Sequence, residues 1–230
     1  MLKVIESAVP VACWSCAVAH NEATLFCPHC SKIQPPLGGD FFSVFGLKPC
    51  LNLDLMGLEH EFHRLSRKLH PDRFARAGEN EKQWSLADTA LLNDAYRTLK
   101  DPIHRTEYLL KLHGAEIGEE HSGKDRQDPS RVPADLLEEV FDLNMQLEEM
   151  RAAKKIGEDD PALQASLEQA KTKFDGLLDE VDDELREQWQ AWDTGDAGIR
   201  AAAQKSMVAL LDRRRYLNNL VRDVTETLGA

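Results

Sequence analysis

Four cysteines within the first 30 residues constrain the fold of this chain more than any other feature. They are spaced as Cys13-x-x-Cys16, ten intervening residues, and then Cys27-x-x-Cys30. Each pair can turn two sulfur atoms towards one ion, and two such pairs complete a tetrahedral set of ligands. A segment this short buries too little apolar surface to fold alone, so metal binding would supply its stability. The spacing therefore predicts a small metal-binding module.

Thiolate ligands favour zinc, and iron is the less favoured choice. Four cysteines fill a tetrahedral shell, which is typical of a structural site, whereas catalytic zinc keeps an open position. His20 and His29 are alternative ligands on this reasoning. Two local disulfides or a redox Cys-x-x-Cys pair are the other interpretations of the same pattern.

Composition narrows the class of protein further. The chain has 230 residues, a formal charge of −12 and 30% charged side chains, which is typical of a soluble globular protein. We expect no nucleic-acid partner, because binding to phosphates requires clustered lysine and arginine. No apolar run is long enough to span a membrane, and Lys3 and Glu6 interrupt the apolar N-terminus. A cytoplasmic, reducing environment is therefore expected.

The acidic charge is concentrated in one part of the chain. Residues 116–187 carry 22 acidic and nine basic side chains, whereas the remainder is nearly neutral. This asymmetry indicates two functional regions with different partners.

Residues 40–114 carry the pattern of several helices. Asp54 is the predicted N-cap of the first long helix, and Pro71 ends it, because the residue before proline is disfavoured in the α conformation. Further helices are predicted over 82–99 and 102–112. The first helix has one apolar stripe at spacings of three and four, formed by Leu55, Leu58, Phe62, Leu65 and Leu69.

Three longer helical patterns follow a stretch rich in glycine, proline, serine and charge, which indicates a linker. They cover about 134–156, 161–190 and 196–228. The breaks between them are short, which favours antiparallel neighbours and so a three-helix bundle. The predicted apolar anchors of the first of these helices are Leu136, Leu137, Val140, Phe141 and Leu147.

The tripeptide His70-Pro71-Asp72 follows the first amphipathic helix directly. It places an imidazole, a fixed turn and a carboxylate in one exposed loop. A helix end followed by a turn, or a catalytic His–Asp pair, would give the same pattern, but no serine or cysteine nucleophile is evident nearby. The surrounding cations favour docking to an acidic partner surface, and they are Arg64, Arg67, Lys68, Arg73 and Arg76.

In this context the sequence resembles the J-domain family of co-chaperones, and within it the HscB type that serves iron–sulfur cluster assembly. The stretch with the most specific likeness is Asp101–Leu110, because ordinary J-domains diverge after the helix that ends near Leu99. The cysteine module resembles an N-terminal extension found in some HscB-like proteins. The other matching stretches are Phe41–Leu47, Leu69–Phe74 and Leu92–Leu99.

The resemblance implies that the J region binds a DnaK- or HscA-type chaperone. The residues that trigger ATP hydrolysis would be His70, Pro71 and Asp72. Electrostatic docking would come from Arg64, Arg67, Lys68 and Arg73.

The resemblance also implies that the bundle binds an IscU-like cluster scaffold protein. The contact residues carried over from the family are Leu137, Phe141, Asp142, Glu149 and Tyr216. Two positions depart from the family pattern, since Glu138 stands at a position that is usually apolar and Met145 at one that is usually acidic. The spacing of four between Leu137 and Phe141 would equally suit packing inside the bundle.

We therefore expect an all-α protein in which J-domain helices precede a C-terminal three-helix bundle and follow a small zinc-binding module. The expected domains are the cysteine module at 1–38, the J domain at 39–114, a linker at 115–132 and the bundle at 133–230. The expected function is non-enzymatic: the protein stimulates the chaperone ATPase and delivers the scaffold to it. The alternatives are a general J-protein or zinc-dependent module for unfolded clients, and a metalloenzyme that uses the cysteine site.

Overall fold

The computed structural model describes residues 11–20, 24–36, 38–117 and 133–229. The chain divides into two compact units, Met1–Leu109 and Leu110–Ala230. Most of the predicted linker at 115–132 lies outside the described residues. The finer domain boundaries from the sequence stay a prediction.

The cysteine module begins with two short antiparallel strands, β1 (Val11–Ala12) and β2 (Ala19–His20). Val11 pairs with His20 and Ala12 with Ala19. The other elements of the described part are helical, so the predicted all-α fold class is confirmed. Among the described residues of the module, the buried apolar side chains are Cys13, Leu25, Cys27 and Ile33.

Helix α1 (Phe41–Val44) precedes the long helix α2 (Leu55–Leu69). The Asp54 side chain caps α2 as predicted, because its Oδ1 accepts the backbone N–H of Gly57 at 3.1 Å. The helix ends before Pro71, and a single 3₁₀ turn over Pro71–Phe74 follows. Capping and proline chemistry therefore set both ends of α2.

Two helices follow this turn, α3 (Glu79–Lys100) and α4 (Pro102–Leu112). Helix α3 begins three residues before its predicted start, because the Glu81 carboxylate accepts the N–H of the N-cap residue Gly78. Between the two helices, Asp101 Oδ1 accepts the N–H groups of Ile103 and His104 at 2.9 and 2.8 Å.

Arg105 and Tyr108 in the 101–110 stretch make long-range contacts within the first unit. Arg105 is buried and donates hydrogen bonds to the carbonyl oxygens of Leu51 and Leu99. Tyr108 stacks on Phe41 with ring centroids 4.4 Å apart and accepts that residue's backbone N–H at 2.8 Å. Arg105 and Tyr108 thus hold α4 against the first half of the unit.

The second unit contains helices α5 (Leu137–Ile156), α6 (Pro161–Thr194) and α7 (Ala197–Gly229). A 3₁₀ turn over Ala134–Leu136 precedes α5. Helix α6 runs four residues past its predicted end and stops at Gly195. A Cβ at that glycine would lie 2.4 Å from the Ala191 carbonyl oxygen, so a larger residue cannot occupy this close turn.

Most of the buried side chains of the second unit are apolar. None of the described helices is long and apolar enough to span a membrane. The prediction that Leu137 and Phe141 anchor α5 in this core is wrong. Both side chains are exposed, whereas the other three predicted anchors, Leu136, Val140 and Leu147, are buried. The buried side chains include Leu143, Leu147, Leu167, Phe174, Leu185, Met207, Leu217 and Val224.

Candidate functional site

The four cysteine sulfurs form one cluster. The Sγ atoms of Cys13 and Cys30 lie 3.7 Å apart, those of Cys16 and Cys27 lie 3.8 Å apart, and all four lie within 4.8 Å of one another. A tetrahedron with metal–sulfur bonds of about 2.3 Å has edges of about 3.8 Å. The separations are far beyond a disulfide bond of about 2 Å, and the thiols are free. The cluster can therefore bind a metal ion.

The two Cys-x-x-Cys segments have the same backbone geometry. In the first, the Cys13 carbonyl accepts the N–H of Ala17, which has a φ of 59°. In the second, the Cys27 carbonyl accepts the N–H of Ser31, which has a φ of 58°. This left-handed conformation is unfavourable for alanine and serine, so the repeated turns indicate a geometry imposed by the cluster.

Backbone N–H groups also point at the sulfurs. Ser15 donates to Cys13 Sγ and His29 donates to Cys27 Sγ, both at 3.4 Å. Burial alone would raise the pKa of Cys13, but hydrogen bonds from the backbone and from neighbouring cysteines outweigh it and lower the pKa, whereas the pKa of Cys16 in the same cluster is raised. The thiolate is the form of cysteine that binds metal. The metal-ligand group found among the described residues is Cys13, Cys16, Cys27 and Cys30. The alternative ligand His29 is not in this group and donates its backbone N–H to Cys27 Sγ. The side chain of His20, the other alternative, lies outside the described part of the chain.

The His-Pro-Asp turn is open to solvent. The side chains of His70 and Asp72 are 59% and 90% exposed, and His70 Nδ1 lies 3.6 Å from Asp72 Oδ2. The same nitrogen accepts the Asp72 N–H at 3.3 Å, while the His70 carbonyl accepts the N–H of Arg73 at 2.9 Å. The imidazole and carboxylate are therefore held on one short turn where a partner can reach both.

The predicted docking cations do not form one uniform face. Arg64 binds the carboxylate of Glu61, and this hydrogen bond holds the Glu61 pKa below its usual value. Arg67 donates to the His63 carbonyl of its own helix at 3.1 Å. The structure places Arg64, Lys68 and Arg73 around one groove beside the cysteine module.

Polar residues on the buried face of α3 contribute to this region, and sequence reasoning missed them. Ser85 donates its hydroxyl group to the Leu69 carbonyl at 2.6 Å. The Thr89 hydroxyl lies 3.4 Å from the same carbonyl and forms its shorter hydrogen bond, 2.7 Å, to the Ser85 carbonyl. Asp88 is fully buried, and neither of its carboxylate oxygens has a hydrogen-bond partner among the described residues. Burial raises its pKa to about 7. Asp88 and Thr89 follow Ser85 at spacings of three and four along an otherwise apolar helix face. This spacing is the sequence signal that could have predicted their burial.

The predicted scaffold contacts on α5 lie on the helix surface. Leu137 and Phe141 are 50% and 64% exposed, and Asp142 and Glu149 are exposed beside them. Met145 extends the apolar stripe by one more turn and is also exposed. We call Leu137, Phe141 and Met145 the α5 stripe.

Tyr216 lies on α7, in a stretch that is joined to the start of α5. Its ring is half-buried, and burial raises its pKa. One turn earlier, Arg213 forms two hydrogen bonds to Asp135, at 3.1 and 2.7 Å. This bidentate pair fixes the segment before Leu137 against the part of α7 that carries Tyr216.

Comparisons with known proteins place these features in context. The iron–sulfur cluster co-chaperone protein HscB of Mus musculus is 31% identical over 174 residues, which cover 74% of this chain and 71% of the mouse protein. The HscB co-chaperone of Homo sapiens is 37% identical over 142 residues, 60% of this chain and 57% of the human protein. No family model matches the chain.

Solved structures give the same result for the fold. The crystal structure of human HscB has a TM-score of 0.65 and 27% identity, and the match covers 94% of this chain and 98% of that one. The chaperone HscB from Vibrio cholerae has a TM-score of 0.56 and 27% identity, with 82% and 96% covered.

Proposed function

This chain belongs to the HscB family of iron–sulfur cluster co-chaperones, and from that premise we propose that it stimulates the ATPase of a DnaK- or HscA-type chaperone. We further propose that it delivers an IscU-like scaffold protein to that chaperone and so assists cluster assembly and transfer. The exposed His70-Pro71-Asp72 turn carries the proposal, because it presents an imidazole and a carboxylate to a partner.

Stimulating an ATPase demands no bond-making chemistry from the co-chaperone. It demands contacts that are stronger in one conformation of the chaperone than in another, which shift the equilibrium towards hydrolysis. Groups for such contacts are His70, Pro71 and Asp72 on the turn, with Arg64, Arg67, Lys68 and Arg73 supplying positive charge. Charged groups around a docking site chiefly raise the association rate and specify the partner.

The bundle surface suits the proposed scaffold contact. The α5 stripe exposes large apolar side chains, and an aromatic anchor within a polar rim is typical of the residues that dominate binding energy. Asp142 and Glu149 would form part of that rim, and Tyr216 would contribute an aromatic ring from α7. One protein that binds both partners raises the effective concentration of scaffold at the chaperone.

We propose zinc as the ion of the cysteine cluster, with a structural role. Four sulfurs at tetrahedral spacing fill the coordination shell and suit the softness of zinc with thiolates. Free thiols also suit a reducing compartment such as the cytoplasm.

The test is the ATPase rate of the purified chaperone with the full-length His70→Gln variant. We expect stimulation to be lost while the helical circular dichroism signal is unchanged, because His70 is exposed and contributes little to folding. His63→Gln is the matched control, since it removes an exposed imidazole from the preceding helix. Normal stimulation by His70→Gln would exclude the proposed role of the turn.

A further inference from the structure

The cysteine module packs directly on the helices that flank the His-Pro-Asp turn. The indole of Trp14 meets that of Trp84 on α3 edge to face, with centroids 5.7 Å apart. The Lys32 ammonium lies 3.1 Å from the Glu81 carboxylate, which is almost fully buried. These contacts fix the module against α3 within the first unit.

An open groove of about 820 Å³ lies between the module and α2. Phe26, Ser31 and Lys32 belong to its module side. Arg64 and Lys68, one helical turn apart on α2, belong to its helix side. Arg73, directly after the His-Pro-Asp tripeptide, also lines the groove and makes it continuous with the turn.

The groove has an excess of positive charge. Its carboxylates are already engaged, because Glu61 binds Arg64 and Glu81 binds Lys32. Among the described residues, neither Lys68 nor Arg73 forms an ion pair. The Lys68 ammonium instead lies 5.9 Å from the centroid of the Phe26 ring, which holds this cation at the groove.

We propose that this groove binds an acidic, extended segment of the chaperone ATPase, so that the cysteine module forms part of the chaperone-docking surface. The inference rests on the proposed function. Charge complementarity favours an acidic occupant, and continuity with the His-Pro-Asp turn assigns the segment to the protein that engages the turn. The cations are spread along α2 and past the turn, which suits a chain with several carboxylates.

Ser31 allows a test that changes charge on the module wall alone. Its side chain is exposed, and its left-handed backbone conformation is one that aspartate and asparagine tolerate well. Ser31→Asp adds a negative charge to the groove, and Ser31→Asn is the neutral control of the same shape. Both full-length variants are first checked for an unchanged metal content.

Affinity for the purified DnaK- or HscA-type chaperone is then measured at low and high salt, with His70→Gln in parallel. We expect Ser31→Asp to bind at least about fivefold more weakly than Ser31→Asn at low salt, and the difference to shrink at high salt because salt screens charge repulsion. Equal affinity of the two variants, with stimulation still lost in His70→Gln, would overturn this inference alone. Normal stimulation by His70→Gln would overturn the proposed function and this inference with it. A change in self-association, without a change in chaperone affinity, would assign the groove to a second copy and overturn the inference.

Discussion

The hydroxyl of Ser85 on α3 donates a 2.6 Å hydrogen bond to the carbonyl of Leu69, the last residue of α2. Carbonyl groups in the last turn of a helix have no partner within the helix, so an external donor is needed when they are buried. Ser85 supplies that donor to Leu69, the residue directly before His70. This contact connects the core of the first unit to the turn that we propose engages the chaperone.

We expect Ser85→Ala to hold the His-Pro-Asp turn less firmly in place, although no residue of the turn is changed. The variant leaves the Leu69 carbonyl without its short bond, which costs about 1–3 kcal/mol of stability. Stimulation of the chaperone ATPase should fall several-fold in a rate measurement below saturation.

The control for this prediction is Thr106→Val. It removes another fully buried hydroxyl, which donates to the Pro102 carbonyl at 2.7 Å on α4. A smaller stability loss should occur with normal stimulation, because the Pro102 carbonyl at the start of α4 still accepts the Thr106 backbone N–H. Equal loss of stimulation in both variants would show that Ser85 acts through general stability.

Because the α5 stripe is exposed, a substitution in it should change scaffold affinity without changing the stability of the bundle. Phe141→Ala should leave the unfolding midpoint nearly unchanged, because the ring is largely in solvent. It should weaken scaffold binding at least about thirtyfold, since truncating an aromatic anchor costs about 2 kcal/mol or more. Calorimetric titration with the IscU-like protein measures the second quantity.

Val140→Ala, at the neighbouring residue, should have the opposite effect and lower stability without changing scaffold affinity. Val140 is buried, so the truncation should cost about 1–3 kcal/mol of stability, in the range found for large-to-small substitutions in cores. Its scaffold affinity should stay near normal. If Phe141→Ala bound the scaffold normally but bound unfolded clients poorly, the general J-protein interpretation would replace the scaffold proposal.

Asp88 should make the stability of the first unit depend on pH. Burial raises its pKa to about 7, whereas an unfolded aspartate has a pKa of about 3.9. Between these values the folded state holds a proton that the unfolded state has released, so stability falls as pH rises from about 4 to 7. Above pH 7 the loss is complete.

Asp88→Asn should remove this slope. At pH 8 the variant should be more stable by about 2–4 kcal/mol, and at pH 4 it should match the wild type. Urea-dependent hydrogen exchange of α3 peptides measures this, with Asp94→Asn as the exposed control on the same helix. A wild-type slope of zero between pH 4 and 7 would contradict the raised pKa.

Metal removal should loosen the cysteine module and spare the helices. A strong chelator should abolish the near-ultraviolet signal of the Trp14–Trp84 pair, because the contact depends on the folded module. The far-ultraviolet helix signal should change little.

The matched variants for metal binding are Cys13→Ser and Cys50→Ser. The first should lose the ion, and the second should retain one per chain by elemental analysis, because Cys50 stands outside the cluster. Metal retention by Cys13→Ser would contradict a four-sulfur site, and iron in place of zinc would correct the metal.

The sequence by itself determined the local features of this protein. Caps and proline set the ends of α2, and the paired Cys-x-x-Cys segments indicated the cluster. These features depend on interactions over a few residues, so they can be predicted from spacing. The resemblance to the J-domain family predicted the role of His70, Pro71 and Asp72, and that role stays a proposal.

Only the tertiary structure decided which surfaces remain exposed. A spacing of four places Leu137 and Phe141 on one helix face, but that spacing is the same for a core face and a binding face. The packing of the neighbouring helices decides which face is buried. In this bundle Val140 is covered, while Leu137 and Phe141 stay exposed. The bond from Ser85 to Leu69 likewise joins residues 16 positions apart, so it exists only once α3 has packed against α2.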